Sequence, residues 1–196
     1  MNDGAHKIRL IAGLGNPGRE YQATRHNAGF QFLDRLAAQC KTQLKSESKF
    51  FGKTARLRSG GGDLLLIAPQ TFMNRSGQGV AAFANFYRIS AEELLVVHDE
   101  LDLPPGSAKM KFGGGVAGHN GLKDIALRLG THDFWRLRVG IGHPGDKDAV
   151  ADYVLEKAPR DDRLLIDEAI DRALEIFPQI AAGHLEAAML KLHTKR

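Results

Sequence analysis

Short apolar runs of strand character alternate with helix-period patterns along this chain, and that alternation constrains the fold more than any single motif. Strand-like runs stand at Lys7–Ala12, Lys53–Leu57, Leu64–Ala68, Leu94–Val97, Ala108–Phe112 and Leu137–Ile141. Helical patterns stand at Ala28–Cys40, Gly77–Tyr87, Leu122–Leu129, Ala149–Val154, Asp162–Phe177 and His184–Leu192. Elements that interleave in this way predict an α/β fold around a largely buried sheet. Ser90 before Ala91-Glu92-Glu93 reads as a helix cap. Pro159 followed by Arg160-Asp161-Asp162 places acids in the first turn of the long C-terminal helix. Gly60-Gly61-Gly62-Asp63 fits a turn joining two strands. Neither a repeat nor a linker is visible, so one domain over residues 1–196 is expected.

The chain has 196 residues, 43% hydrophobic and 26% charged, an ordinary globular composition with enough length for a real core. Its formal charge of +4 permits a polyanionic partner without requiring one. A single cysteine, Cys40, excludes an internal disulfide and a cysteine-built zinc site. No apolar run approaches the ~20 residues that span a bilayer, and the start, MNDGAHK, lacks the apolar core of a signal peptide. The expected location is cytoplasmic.

The segment Gly13–Phe30 reads GLGNPGREYQATRHNAGF, and its glycines at 13, 15 and 18 spell the dinucleotide pattern G-x-G-x-x-G. That pattern requires its third glycine to open an apolar helix and an acid to end a second strand about 20 residues later. Here Pro17 interrupts the loop, and the run after Gly18 is polar and aperiodic. The acid in range, Asp34, lies inside a helical pattern. The nucleotide-binding oxidoreductase reading therefore fails on context, leaving a tight turn and a polar loop that carries His26.

A carboxylate partner for His26 would give it a chemical role, and Asp99 follows the apolar run Leu94–Val97. The carboxyl end of such a strand is where α/β sheets place site residues, and an acid there can hold an imidazole in one tautomer. His98-Asp99-Glu100-Leu101-Asp102 is also an acid cluster, whose plainer reading is a solvated turn. A metal site is disfavoured because no second histidine stands at helical ligand spacing. Asn16, Asn74 and Asn120 sit in polar turns; each could be only a cap, but together they could position a polar substrate or steady an oxyanion. Phe72 and Met73 fit either a staple before the helix or a pocket wall. The glycine loop 113–118 leads into a helix and could face an anion, although no Lys-Ser/Thr pair makes it a phosphate-gripping loop. Lys109 and Lys111 point to one side of a strand, as do Arg136 and Arg138. No activated serine or cysteine is evident, so water activated by His26 is the economical hydrolytic mechanism.

Taken together, GLGNPGREYQATRHNAGF (13–30), PQTFMNRSG (69–77), HDELDLPPG (98–106), GHNGLKDI (118–125) and RLRVGIGHPG (136–145) resemble the bacterial peptidyl-tRNA hydrolases, in the family's order. The resemblance implies a single-domain, monomeric α/β enzyme with a mixed twisted β-sheet sandwiched between α-helices. It would cleave the ester joining a peptide to the 3′-terminal ribose of tRNA. By similarity His26 is the general base and Asp99 orients it. Asn16 would help tell blocked from free aminoacyl groups, and Asn74 and Asn120 would bind substrate. Tyr21, Phe72 and Met73 would line the cleft, with His119 beside it. Lys109, Lys111 and Arg138 match a basic rim for tRNA phosphates. No metal, organic cofactor or obligate protein partner is implied. Val116-Ala117 departs from a richer glycine and histidine pair in some relatives, and the tail after about Pro178 matches weakly. An RNA-binding module without hydrolysis would use the same rim, so turnover of peptidyl-tRNA separates the two. If Asp99 only orients His26, Asp99→Asn should hurt less than loss of the base.

Overall fold

The computed structural model describes residues 7–59 and 62–194. Their strands form one seven-stranded sheet in the order β2-β3-β4-β1-β5-β7-β6. The strands are β1 Leu10–Gly13, β2 Lys45–Glu47, β3 Gly52–Ser59, β4 Gly62–Pro69, β5 Leu94–Glu100, β6 Ala108–Phe112 and β7 Trp135–Gly140. β4, β1, β5 and β7 run parallel through the centre, while β2, β3 and β6 are antiparallel at the edges. The helices are α1 Ala28–Gln39, α2 Ser76–Phe86, α3 Asn120–Leu129, α4 Val150–Leu155, α5 Arg160–Glu175, α6 Phe177–Ala181 and α7 Leu185–His193.

Period-two alternation divides β1, β4 and β5 between two cores, while β7 gives one face to a core and carries Arg136 and Arg138 on the other. Ile11, Leu95, Val97, Leu137 and Val139 pack with α1, α5, α6 and α7 on one face. Leu10, Ala12, Leu94 and Val96 pack with α2 and α3 on the other. The expected mixed sheet between helical layers is therefore what this sequence forms.

The glycines of the N-terminal motif serve contact more than turning. A methyl on Gly29 would collide with the backbone of Leu14 and Val97, and one on Gly13 with the carbonyl of Gly29. α1 thus lies directly on the ends of β1 and β5. Of the three motif glycines only Gly18 has a left-handed φ, +117°. It opens no α-helix; single 3-10 turns at Arg19–Tyr21 and Arg25–Asn27 intervene before α1.

Several boundaries differ from the sequence expectation. β1 starts at Leu10, not Lys7. β5 continues through Glu100, so His98 and Asp99 lie within the strand, because the ladder to β7 pairs His98 with Arg138 and Asp99 with Val139. β2 (Lys45–Glu47) is polar and exposed, with no alternation to reveal it; its pairing to β3 makes it a strand. α5 ends at Glu175, and Pro178 sits in the first turn of the separate α6. The Ser90 N–H donates to the Glu93 carboxylate at 2.9 Å, capping a single turn as expected. Gly60 and Gly61 of the expected β-turn lie outside the described residues, as do residues 1–6 and 195–196.

From β1 the chain runs through α1, β2 and β3 to β4 on one side, whereas from β5 it runs through β6 and α3 to β7 on the other. The crevice between the carboxyl ends of β1 and β5 is where such a sheet opens to ligands.

Candidate active site

His26 and Asp99 meet at that crevice. His26 sits on the turn just before α1, and its Nδ1 lies 2.9 Å from Asp99 Oδ2 and 3.0 Å from Oδ1. Both residues are buried. The turn is braced from two sides. The Asn27 side chain accepts from Asn16 N–H and donates to Asn16 C=O, each at 2.9 Å. Arg25 donates to the Tyr153 carbonyl at 2.9 Å while its guanidinium stacks 3.8 Å over the Tyr153 ring.

A second histidine completes the group. His119 Nε2 lies 2.9 Å from Asp99 Oδ1, and its Nδ1 accepts from the N–H groups of Gly121 and Leu122 at 3.1 and 3.3 Å. Those backbone donors require a bare Nδ1, so the His119 proton is on Nε2 and is donated to Asp99. Asp99 in turn accepts the Nδ1–H of His26, which leaves His26 Nε2 with a free lone pair. The second histidine that helical spacing did not offer is thus supplied by the fold: His26, Asp99 and His119 hold their ligand atoms within 4.8 Å of one another. Ligation through His119 Nε2 would push its proton to Nδ1, against two N–H donors. The cluster is therefore built as paired N–H···O contacts and fits a metal poorly.

Charge follows the same geometry. Burial pushes Asp99 up, but His26 and His119 hold its carboxyl well below the usual carboxylate range. Burial pushes His26 down, but the charge and hydrogen bond of Asp99 outweigh it and raise its pKa above the ordinary 6.5. His98 donates from Nδ1 to the Asp99 carbonyl at 2.8 Å and meets the His119 ring edge-on at 5.1 Å. Burial first, then His119, brings its pKa down to about 3.

A cleft of about 860 Å³ opens beside these groups, lined in part by His26, Asp99, His119, Asn120, Lys111 and Arg138. It is the size of a small-molecule site. In the β6–β7 ladder Lys109 stands opposite Arg138 and Lys111 opposite Arg136, so four cations share one face. Arg138 donates to Glu100 at 2.9 Å. Lys109 is exposed on that face but does not line the cleft.

Asn16, Tyr21, Phe72, Met73 and Asn74 do not line this cleft. The Asn16 side-chain oxygen accepts from Met73 N–H at 2.7 Å. The Phe72–Met73 pair divides: Met73 is 4% exposed and core, Phe72 is 60% exposed and faces Tyr21 edge-on at 6.4 Å. Asn74 and Asn120 are exposed, and the cap of α3 is His119, not Asn120. Sequence reasoning assigned no bracing role to Asn27, His98 or Arg136 and overlooked Tyr153. Only Asn27, beside His26 in the motif, carried a local signal.

Among the described residues no helix is long and apolar enough to cross a membrane. The model of the peptidyl-tRNA hydrolase family matches residues 10–196, including the tail that resembled it weakly. A peptidyl-tRNA hydrolase from Methylobacillus flagellatus is 59% identical over 188 residues, covering 96% of this chain and 97% of that one. One from Neisseria meningitidis is 56% identical over 191 residues, covering 97% and 100%. The crystal structure of the Acinetobacter baumannii peptidyl-tRNA hydrolase superposes with a TM-score of 0.95 at 46% identity, covering 100% of this chain and 99% of that one. With this agreement in sequence and in fold, the chain belongs to the peptidyl-tRNA hydrolase family.

Proposed function

We propose that His26 is the general base with which this enzyme cleaves the ester of peptidyl-tRNA, and that Asp99 holds it in the working tautomer. The observation that carries the reading is the 2.9 Å contact from His26 Nδ1 to Asp99 at the cleft. Neutral His26 Nε2 takes a proton from water, and the water oxygen attacks the ester carbonyl carbon. The imidazolium is stabilised by Asp99. As the tetrahedral intermediate collapses, the bond to the 3′-terminal ribose oxygen breaks and the imidazolium returns the proton to that oxygen. The products are a free peptide carboxylate and a reusable tRNA.

The amides of Asn16, Asn74 and Asn120 steady the oxyanion and the carbonyl. Asn16 discriminates blocked from free aminoacyl groups. Tyr21, Phe72 and Met73 form the peptide side, and His119 shares Asp99 with the base. Lys109, Lys111 and Arg138 meet the acceptor-end phosphates, where affinity should fall with salt. The reading takes residues 1–196 as one domain, in the cytoplasm, with no cofactor and no obligate protein partner. A positioned base contributes about 10²- to 10⁴-fold, so His26→Ala should nearly abolish turnover of purified peptidyl-tRNA in a folded protein. More than about a tenth of the wild-type rate in that variant would remove His26 as the base.

A further inference from the structure

Arg136 is a cation that the proposed chemistry leaves without a task. It lines the cleft, yet it is only 3% exposed, so it cannot reach a phosphate as Lys109 or Lys111 can. Its nearest carboxylate, Glu100, is already held by Arg138. The guanidinium lies 4.8 Å over the Phe134 ring and sends its two terminal nitrogens to consecutive backbone carbonyls, Nη1 to Gly115 and Nη2 to Gly114 at 2.8 Å. Among the described residues its Nε makes no hydrogen bond.

The segment it grips has few other ties. Gly113, Gly114, Ala117 and Gly118 all have left-handed φ. A methyl on Gly115 or Gly118 would meet open space. Val116 packs partly against the core. A run of this kind is conformationally loose unless something holds it. It ends at His119, which donates to Asp99, and at Asn120, the first residue of α3. Two parallel bonds to successive carbonyls suit a planar fork and not the single ammonium of lysine.

We propose that Arg136 is a positioning residue: from the sheet face it shares with Lys111 and Arg138 it clamps Gly114 and Gly115, and that clamp sets where His119 and Asn120 stand against the substrate. The proposal rests on the reading of the cleft as the hydrolytic site. The test compares full-length wild type, Arg136→Gln, Arg136→Lys and Arg138→Gln. Steady-state hydrolysis of peptidyl-tRNA is followed from about 50 to about 200 mM salt, with amide hydrogen exchange of residues 113–120 measured without substrate. Arg136→Gln should lower kcat about 10- to 100-fold, keep the salt dependence of KM and speed exchange in the loop. Arg136→Lys should fall between it and wild type. Arg138→Gln should flatten the salt slope by about one and leave loop exchange alone. The proposal is overturned if Arg136→Gln flattens the salt slope while kcat stands, which would make it a phosphate contact. Wild-type kcat and loop exchange in Arg136→Gln, or in Arg136→Lys should the first variant not fold, overturns it equally. Loop exchange is read without turnover, so failure of the wild type to hydrolyse peptidyl-tRNA would sink the functional reading and leave the clamp separately tested.

Discussion

Replacing Asp99 with asparagine should cost this enzyme about 10⁴-fold in single-turnover rate, nearly as much as removing the base. If Asp99 only aimed His26, the change would be milder; the proton on His119 argues otherwise. Gly121 and Leu122 hold His119 with its hydrogen on Nε2, so the side-chain oxygen of the introduced asparagine must face His119. The new NH2 then takes the Oδ2 position, 2.9 Å from His26 Nδ1, and competes with the shared oxygen 3.0 Å away, favouring the tautomer with the imidazole proton on Nε2, where the water should be. About 10⁴-fold corresponds to about 5 kcal/mol of transition-state stabilisation. Asp99→Ala, with no NH2 to impose a tautomer, should lose only about 10²- to 10³-fold from poorer orientation. The decisive comparison adds His119→Ala. With the donor gone, the introduced asparagine can turn its oxygen to His26, so Asp99→Asn should cost only about 10²-fold in that background. The coupling is then between about 2 and 3 kcal/mol. Saturating enzyme, labelled peptidyl-tRNA and a circular dichroism check on each variant suffice. An equal cost of Asp99→Asn in both backgrounds, or Asp99→Asn more active than Asp99→Ala, would falsify the tautomer lock.

Three further outcomes are expected. The kcat/KM profile should fall on the acid side as His26 protonates, at a pKa above 6.5, and Asp99→Ala should move that limb to lower pH; an unmoved limb would detach Asp99 from the titration. The same pairing contributes stability that is full below about pH 6.5 and is lost as pH rises through the raised His26 pKa. His98 has the opposite sign, because its folded pKa of about 3 lies below the unfolded value of 6.5, so its contribution is present above that value and lost as pH falls. Wild type should therefore lose about 2 kcal/mol more between about pH 7 and pH 5 than His98→Asn, which keeps a donor for the Asp99 carbonyl; parallel urea curves at the two pH values would refute this. Asn27→Ala strips partners from the buried N–H and C=O of Asn16 and should destabilise by about 2–4 kcal/mol, with a Cm near wild type as the contrary result.

The layers were legible because β1, β4 and β5 carry two apolar faces and the longer helices an apolar stripe, patterns that burial itself imposes. Asp99 was legible as an acid following the apolar run Leu94–Val97, toward the strand end where sites form, and His26 as the histidine of the polar loop after the first strand. His119 was not legible as a partner of Asp99, since no spacing in the chain announces a contact made through the fold. The burial of Arg136 was not legible, because strand alternation places it only on the same side of β7 as Arg138. Alternation gives a side, and only the loop lying over β7 decides that Arg138 remains partly exposed while Arg136 is covered. β2 escaped notice because its three side chains are polar and exposed, with no alternation to mark it.

The chemistry at the crevice depends on its asymmetry. After β1 and β4 stand an amide and two aromatic rings, at Asn16, Tyr21 and Phe72, with Met73 buried behind them. On the β5 side the β6–β7 ladder presents Lys109, Lys111 and Arg138. A peptidyl-tRNA has the same polarity, with a neutral chain of variable side chains on one end of the ester and a polyanion on the other. In the proposed reading the ester is the junction of the two, and His26 sits where the two walls meet because α1 must start there. The close approach of Gly29 to Leu14 and Val97 that carries the helix onto the sheet also fixes the turn before it. Bulk at Gly29 would therefore displace the base as well as unpack the core, so helix–sheet contact and catalytic placement are one constraint on the sequence.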